Sequence, residues 1–249
     1  MDIIEIENLS HRFSDGTLGL DGINLRIRAG TFVVVAGPNG SGKTTLIRHL
    51  NGLLQPTAGC IKLDGVAVEK DPLRARRMVG MIFQDVDSQI VGETVYEDVA
   101  FGPENLRLKR HLIDERVIRV LEAVGLKDFA GQRPHLLSGG EKRRLAIAGV
   151  LAMEPKVIAF DEPFASLDYP GVKQVLGQIL TLHQSGHTVL VITHELEKVL
   201  AHADRLIIMQ KGKIVRDGVP AEIVADVEAF GVRAPCAIHL GKEVGSWLN

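Results

Sequence analysis

Eight residues, Gly37-Pro38-Asn39-Gly40-Ser41-Gly42-Lys43-Thr44, read G-x-x-x-x-G-K-T. That spacing suits a chain of phosphates. Glycines let the backbone approach an anion closely, and peptide N–H groups leading into a helix N-terminus form a concave positive seat. Lys43 is then placed to reach the β- and γ-phosphates, and the Thr44 hydroxyl to hold Mg²⁺, with Thr45 next in line. A second constellation is the adjacent pair Asp161-Glu162: one carboxylate can hold Mg²⁺ while the other orients or deprotonates an attacking water. His194 is a third polar candidate. Leu137-Ser138-Gly139-Gly140-Glu141 is a fourth. Ser138 with Glu141 three residues on forms a capping box, and the two glycines bare the first donors of a helix for another anion. The chain thus carries two phosphate-type cradles. The plainer alternatives are a glycine turn, an acidic turn, a structural histidine and a capped helix, and the flanking elements decide between them.

Phe32-Val33-Val34-Val35 reads as a buried strand and Thr45 to Leu50 as a helix, the strand–loop–helix context the first motif needs. Val157 to Phe160 is a second apolar strand ending at Asp161-Glu162, and Thr188 to Ile192 a third, capped by Thr193-His194-Glu195. Residues at the C-terminal ends of such strands lie at the ligand edge of an open α/β sheet. Upstream, Ile3 to Leu9 alternates and predicts an edge strand, Asp15-Gly16 a turn and Ile23 to Ile27 a second strand. Phe13 is more often a core residue in such a place. Its position before the glycine loop still makes it the leading candidate to stack on a nucleobase; His11 is expected at the surface. Cys60 to Leu63 predicts a short strand, and Arg74, Arg76 and Arg77 a solvated helix face.

Gln84 directly follows the strand Val79 to Phe83. Residues 85–92 predict a loop. From Glu93 a helix carries Val95, Val99 and Phe101 on one face until Pro103 ends or kinks it. Leu112 to Val124, closed by Gly125, and Ser138 to about Met153 are further helices. The expected organisation is an α/β P-loop NTPase core with an N-terminal antiparallel β-subdomain over 1–84 and 155–218. A helical subdomain over 85–154 is inserted into it, and 219–249 form a helical tail in which Trp247 packs.

Hydrophobic content of 45% and charged content of 24% are ordinary for a globular chain, and a formal net charge of -2 gives no global attraction for nucleic acid. Cys60 and Cys236 match no metal spacing. The acidic, alternating start is unlike a secretory leader, and no apolar run approaches the ~20 residues of a membrane span. A cytoplasmic protein, attached to a membrane only through a partner, is the expectation.

With these motifs in order, the chain resembles the nucleotide-binding subunit of an ATP-binding-cassette transporter over essentially its whole length. Gly37 to Thr44 matches the P-loop, Gln84 the Q-loop and Leu137 to Glu141 the signature. Val157 to Glu162 matches the Mg²⁺ strand, Ser166-Leu167-Asp168 the D-loop and His194 the switch histidine. The stretch from Phe83 to Asn105 resembles the energy-coupling-factor branch, which takes up vitamins and metal ions such as cobalt and nickel. It departs from that branch's usual Pro and second acid at Val86 and Ser88. The resemblance implies a sandwich of two such subunits, alike or paralogous, around two ATP molecules, each P-loop facing the other's signature. Lys43 would neutralise phosphate charge. Thr44 and Gln84 would ligate Mg²⁺ directly, and Asp161 through water. Glu162 would position or deprotonate the water, His194 would hold it and the γ-phosphate, and Phe13 would stack on adenine. It further implies a transmembrane scaffold protein and a substrate-binding membrane protein as partners at the cytoplasmic face of the membrane. Val95, Val99 and Phe101, beside Gln84, are the expected docking surface. A soluble cassette ATPase acting on DNA or ribosomes is the rival reading, and no nucleic-acid partner is expected under the first. A regulatory ATP sensor with a dead site fits poorly, because every catalytic position is filled.

Overall fold

A computed structural model describes residues 1–248. Its strands are β1 Asp2–Arg12, β2 Leu18–Arg28, β3 Phe32–Ala36, β4 Ala58–Leu63, β5 Val66–Ala67, β6 Val79–Ile82, β7 Val157–Asp161, β8 Thr188–Ile192, β9 Arg205–Gln210 and β10 Lys213–Gly218. The principal helices are α1 Lys43–Leu50, α2 Pro72–Met78, α3 Val95–Asn105, α4 Arg110–Ala123, α5 Gly139–Leu151 and α6 Tyr169–Gln184. Two short ones, α7 Pro220–Ile223 and α8 Cys236–His239, follow in the tail.

Among the described residues the strands form two sheets, ordered β2-β1-β4-β5 and β10-β9-β3-β8-β7-β6. The first is antiparallel. In the second, β3, β6, β7, β8 and β9 run parallel, and β10 closes one side antiparallel to β9. The inner strands β3, β7 and β8 are buried at every residue, which is why they read as unbroken apolar runs. Alternate side chains along them serve two cores. Phe32, Val34, Ile158, Phe160, Val189 and Val191 join the helical side. Val33, Val35, Val157, Ala159, Leu190 and Ile192 join the side covered by α1 and the antiparallel sheet. A two-residue repeat thus makes a three-layer structure.

The order β3-β8-β7-β6 sets the loops after these strands side by side, and those loops carry Gly37 to Gly42, His194, Asp161-Glu162 and Gln84. Helices α3, α4 and α5 lie between β6 and β7 in the chain.

Four expectations need correction. β1 is an interior strand, paired with β2 on one side and with β4 on the other, Ile4 opposite Leu63; local alternation cannot see a partner that returns fifty residues later. His11 is buried, enclosed by Phe13 and His49. Val95 and Val99 are wholly buried, whereas Phe101 is exposed. Positions four apart share a helix face and a position two further on does not, so these three cannot form one docking surface. Arg74 is half-buried, donating to the Leu63 carbonyl and paired with Asp64, while Arg76 and Arg77 are exposed as expected. Trp247 packs near Tyr169, with ring centroids 5.6 Å apart. The expected tail reaches Asn249, which lies outside the described residues.

Candidate active site

β3 delivers the glycine loop and α1 receives it. Gly42 is the N-cap of α1, at a left-handed φ of 101°, and a Cβ there would stand 2.7 Å from the Gly19 carbonyl oxygen. Gly37 is as constrained: a Cβ would come within 2.2 Å of the Met209 carbonyl oxygen. Both positions require glycine because the loop folds tightly against its neighbours. Lys43 is 7% exposed, its Nζ donating to the carbonyls of Gly37 at 2.7 Å and Pro38 at 3.1 Å. Burial pushes its ammonium pKa down, and the negative charges of Glu162 and Asp161 push it back up. The Ser41 hydroxyl is buried without a hydrogen-bond partner. A buried cation bonded only to loop carbonyls, beside an unpaired hydroxyl, fits a site made for an anion.

The Thr44 hydroxyl donates to Asp161 Oδ2 at 2.8 Å, joining α1 to the end of β7. Burial raises the Asp161 pKa, the Thr44 hydrogen bond lowers it, and neighbouring Glu162 raises it again. His194 Nδ1 lies 3.0 Å from Glu162 Oε1. An ionised carboxylate can only accept, so the imidazole proton sits on Nδ1. Donation from Nε2 to a phosphate then needs the imidazolium form or a turned ring. Glu162 is 8% exposed and sits at φ 48°, an unfavourable conformation for a residue with a side chain and one that recurs at reactive sites.

A cavity of about 320 Å³ gathers Phe13, Gly19, Asn39, Gly40 and Ser41 to Thr45 with Gln84, Asp161 and Glu162. Gly37 and Pro38 stand behind it, holding Lys43. A larger hollow of about 550 Å³ lies among Asp87, Ile90, Arg133 and Lys142. It has no hydroxyl–carboxylate pair and no glycine loop, so chemistry selects the smaller one. Thr44, Asp161 and Gln84 offer a hydroxyl, a carboxylate and an amide, all hard oxygen donors. Among the described residues no three His, Cys, Asp or Glu side chains converge as a metal cage. Few protein oxygens beside a phosphate seat fit Mg²⁺, which keeps water and nucleotide oxygens in its shell.

The structure does not bring the signature into this cavity. Ser138 caps α5, accepting from the Glu141 N–H at 3.3 Å while Glu141 returns to the Ser138 N–H at 2.7 Å. Leu137 is buried in the helical core. A Cβ on Gly139 would meet nothing within 4 Å, and one on Gly140 only the Gln174 side chain at 3.8 Å, so this helix start faces open space. Of the D-loop residues, Ser166 is at φ 59°, Leu167 is half-buried and Asp168 N-caps α6.

Sequence reasoning missed several supporting groups. Gln89 bridges the end of β6, accepting from the Phe83 N–H and donating to the Met81 carbonyl, both at 3.0 Å, and thereby fixes the loop holding Gln84. Asp98 accepts from the N–H groups of Val91 at 2.7 Å and Gly92 at 3.0 Å, clamping the other end of that loop. The buried Arg143 donates to the Pro163 carbonyl next to Glu162. Thr17, Leu18 and Gly19 line the cavity from β2 and the turn before it. None carries a local signal except the unusual acid, Asp98, in an apolar helix face.

Residues 20–165 match the family model described as ABC transporter. The class is that of cassette ATPases. An energy-coupling factor transporter ATP-binding protein of Methanocaldococcus jannaschii is 43% identical over 246 residues, covering 96% of this chain and 88% of that protein. Among solved structures, cbiO1 of Clostridium perfringens, part of the ABC transporter complex cbiONQ, superposes with a TM-score of 0.82 at 36% identity over 96% of this chain and 98% of that one. A dimeric ATP-binding cassette in a post-hydrolysis state with ADP and Pi superposes with a TM-score of 0.77 at 28% identity, covering 87% and 98%. The chain belongs to the ABC transporter ATP-binding proteins, in their energy-coupling-factor branch. It is an ATPase.

Proposed function

We propose that this chain is the motor of an energy-coupling-factor importer for a transition-metal ion, cobalt or nickel, or a vitamin. It works with Mg²⁺, pairs with a second ATP-binding subunit, identical or paralogous, and sits on the cytoplasmic face of the membrane. Its membrane partners are a transmembrane scaffold protein and a substrate-binding protein. The observation that carries the reading is the convergence of the Lys43 ammonium, the Thr44–Asp161 pair and the Glu162–His194 pair at one sheet edge. The similarity to cbiO1, part of an ABC transporter complex, supports the transport assignment.

Residues 37–45 bind the triphosphate, Lys43 offsets its β/γ charge and Phe13 carries the base. Thr44 and Gln84 would hold Mg²⁺ directly and Asp161 through water; when bound, the ion neutralises phosphate charge. Glu162 orients or accepts the proton of the attacking water, and His194 steadies Glu162. Positioning and charge stabilisation are most of what phosphoryl transfer needs. Residues 137–141, with Leu137 anchored in the helical core and the two glycines facing outwards, close over the partner subunit's nucleotide, and the D-loop 166–168 lies beside that joint. The division into a core of 1–84 and 155–218, a helical subdomain of 85–154 and a tail from 219 matches this work, the helical part moving the signature. With Val95 and Val99 buried, contact with the scaffold protein falls to exposed groups of the same region, Val91 and Phe101.

The test is mass spectrometry of what co-purifies with this chain from gently solubilised native membranes. A small transmembrane scaffold with a substrate-binding membrane protein is expected. Nucleic acid or ribosomal proteins without a membrane partner would overturn the transport reading and leave the ATPase chemistry intact.

A further inference from the structure

Two histidines that the ATPase chemistry does not use meet in the interior behind the nucleotide cavity. His49, on the last turn of α1, is wholly buried, and His11, near the end of β1, is 8% exposed. His49 Nε2 lies 3.2 Å from His11 Nδ1. His49 Nδ1 lies 2.8 Å from the Thr45 carbonyl oxygen, and His11 Nδ1 lies 3.2 Å from that of Gln55. The His11 ring meets Phe13 edge to face, with centroids 4.7 Å apart. On the other side Phe13 rests on the backbone of Gly19, where an added Cβ would stand 2.7 Å from its ring. Phe13, Gly19 and Thr45 all line the cavity.

The acceptors assign the protons. Carbonyl oxygens cannot donate, so both imidazoles carry hydrogen on Nδ1 and leave Nε2 bare. His11 Nδ1–H is then shared between the Gln55 carbonyl and His49 Nε2, and His49 Nδ1–H goes to Thr45. This chain of hydrogen bonds is complete only while His49 is neutral. A proton on His49 Nε2 would set N–H against N–H.

We propose that His11 and His49 are positioning residues for nucleotide binding, a hydrogen-bonded imidazole pair that holds the Phe13 ring in place and ties it to the P-loop helix at Thr45. The inference rests on Phe13 being the seat of the base. Protonation of His49 breaks the tie and loosens the base seat, leaving the grip of residues 37–44 on the phosphates intact. Burial pushes the His49 pKa down, the Thr45 carbonyl pulls it up and His11 opposes the charge. The Gln55 carbonyl and the Glu69 carboxylate favour the cation more weakly. Neutral His49 therefore persists through the ordinary imidazole range and is lost as pH falls below it.

The experiment measures binding of ADP and of pyrophosphate to the full chain from about pH 7.5 to about 5.5. ADP affinity should fall about three- to tenfold more than pyrophosphate affinity, the range expected for one aromatic contact. His49→Asn keeps a short donor for Thr45 and loses the reach to His11. It should lower ADP affinity by a similar factor at the upper pH, abolish the differential loss in acid and spare pyrophosphate. Variant-to-wild-type ratios at each pH cancel the ligands' own titration. Equal loss of both ligands, or an ADP profile in His49→Asn like that of wild type, would overturn the inference. The wild-type comparison decides even if His49→Asn does not fold, because parallel ADP and pyrophosphate profiles would also overturn it. Phe13→Ala separates the two layers: if it leaves ADP binding unchanged, the base seat itself is wrong. If it weakens ADP while His49→Asn does not, only the dyad fails.

Discussion

The two anion cradles are built in different ways. The P-loop is enclosed: Lys43 is buried, Thr44 is locked to Asp161, and Glu162 and His194 stand over it. The signature is bare. Its capping box satisfies Ser138 and Glu141 between themselves, and its glycines face open space. Hydrogen bonds from Ser138 to Glu141 hold that carboxylate below its ordinary pKa range, so it stays ionised as the cap. One region can hold a ligand by itself. The other offers donors with no wall opposite, which is the half-site that the proposed two-subunit sandwich would complete. An anion seat becomes a binding site by exclusion of water on several sides, and a single helix N-terminus does not provide that.

This contrast can be broken most severely at Glu162. Glu162→Gln keeps shape and hydrogen bonding but cannot accept a proton. Steady-state hydrolysis should drop by about 100-fold or more, ATP binding should persist, and gel filtration with ATP should show a dimer. Wild-type turnover would remove Glu162 from the role of base. The next effect in size belongs to the signature. Gly139→Asp puts a negative charge at the open helix start. Hydrolysis should fall on the order of tenfold or more, while ATP affinity of the isolated subunit, followed by calorimetry, stays unchanged. If monomer affinity fell too, the signature would belong to its own chain's site.

Two smaller predictions test the Asp98 clamp on the loop between the regions. Asp98→Ala orphans the N–H groups of Val91 and Gly92 and should cost about 1–3 kcal/mol in denaturant unfolding. Asp98→Asn keeps an acceptor and removes the charge. Burial holds the Asp98 pKa above the ordinary carboxylate range, against the pull of the Gly92 and Val91 N–H groups. The folded state therefore binds that proton more tightly than the unfolded chain. The stability it contributes is present below the ordinary range and is lost as pH rises through the raised value. Asp98→Asn should then melt about 2 °C above wild type near neutral pH and lose that margin towards about pH 4.

The motifs were legible because each is a local device. A glycine loop, a capping box and an apolar strand ending in two acids declare themselves within a dozen residues. The same locality explains the errors. Local alternation makes β1 look like an edge because its second neighbour, β4, is remote in sequence. His11 looks like a surface residue because its enclosure by His49 depends on α1 packing behind the antiparallel sheet. Apolar character alone groups Phe101 with Val95 and Val99, although its position lies on another side of α3. Gln89 and Arg143 had no sequence signal, since their acceptors are backbone carbonyls that any residue could supply.

By itself the sequence determined the chemistry on offer: which side chains could hold phosphate, Mg²⁺ or water, and that apolar strands precede them. Steric limits and periodicity act over a few residues, so they can be read from residue types. The strand order β3-β8-β7-β6 decided which of those groups share one cavity and left Ser138-Gly139-Gly140 outside it. That order comes from parallel pairing between segments as remote as Phe32 and Val189, held by two apolar layers that form only when the whole chain closes.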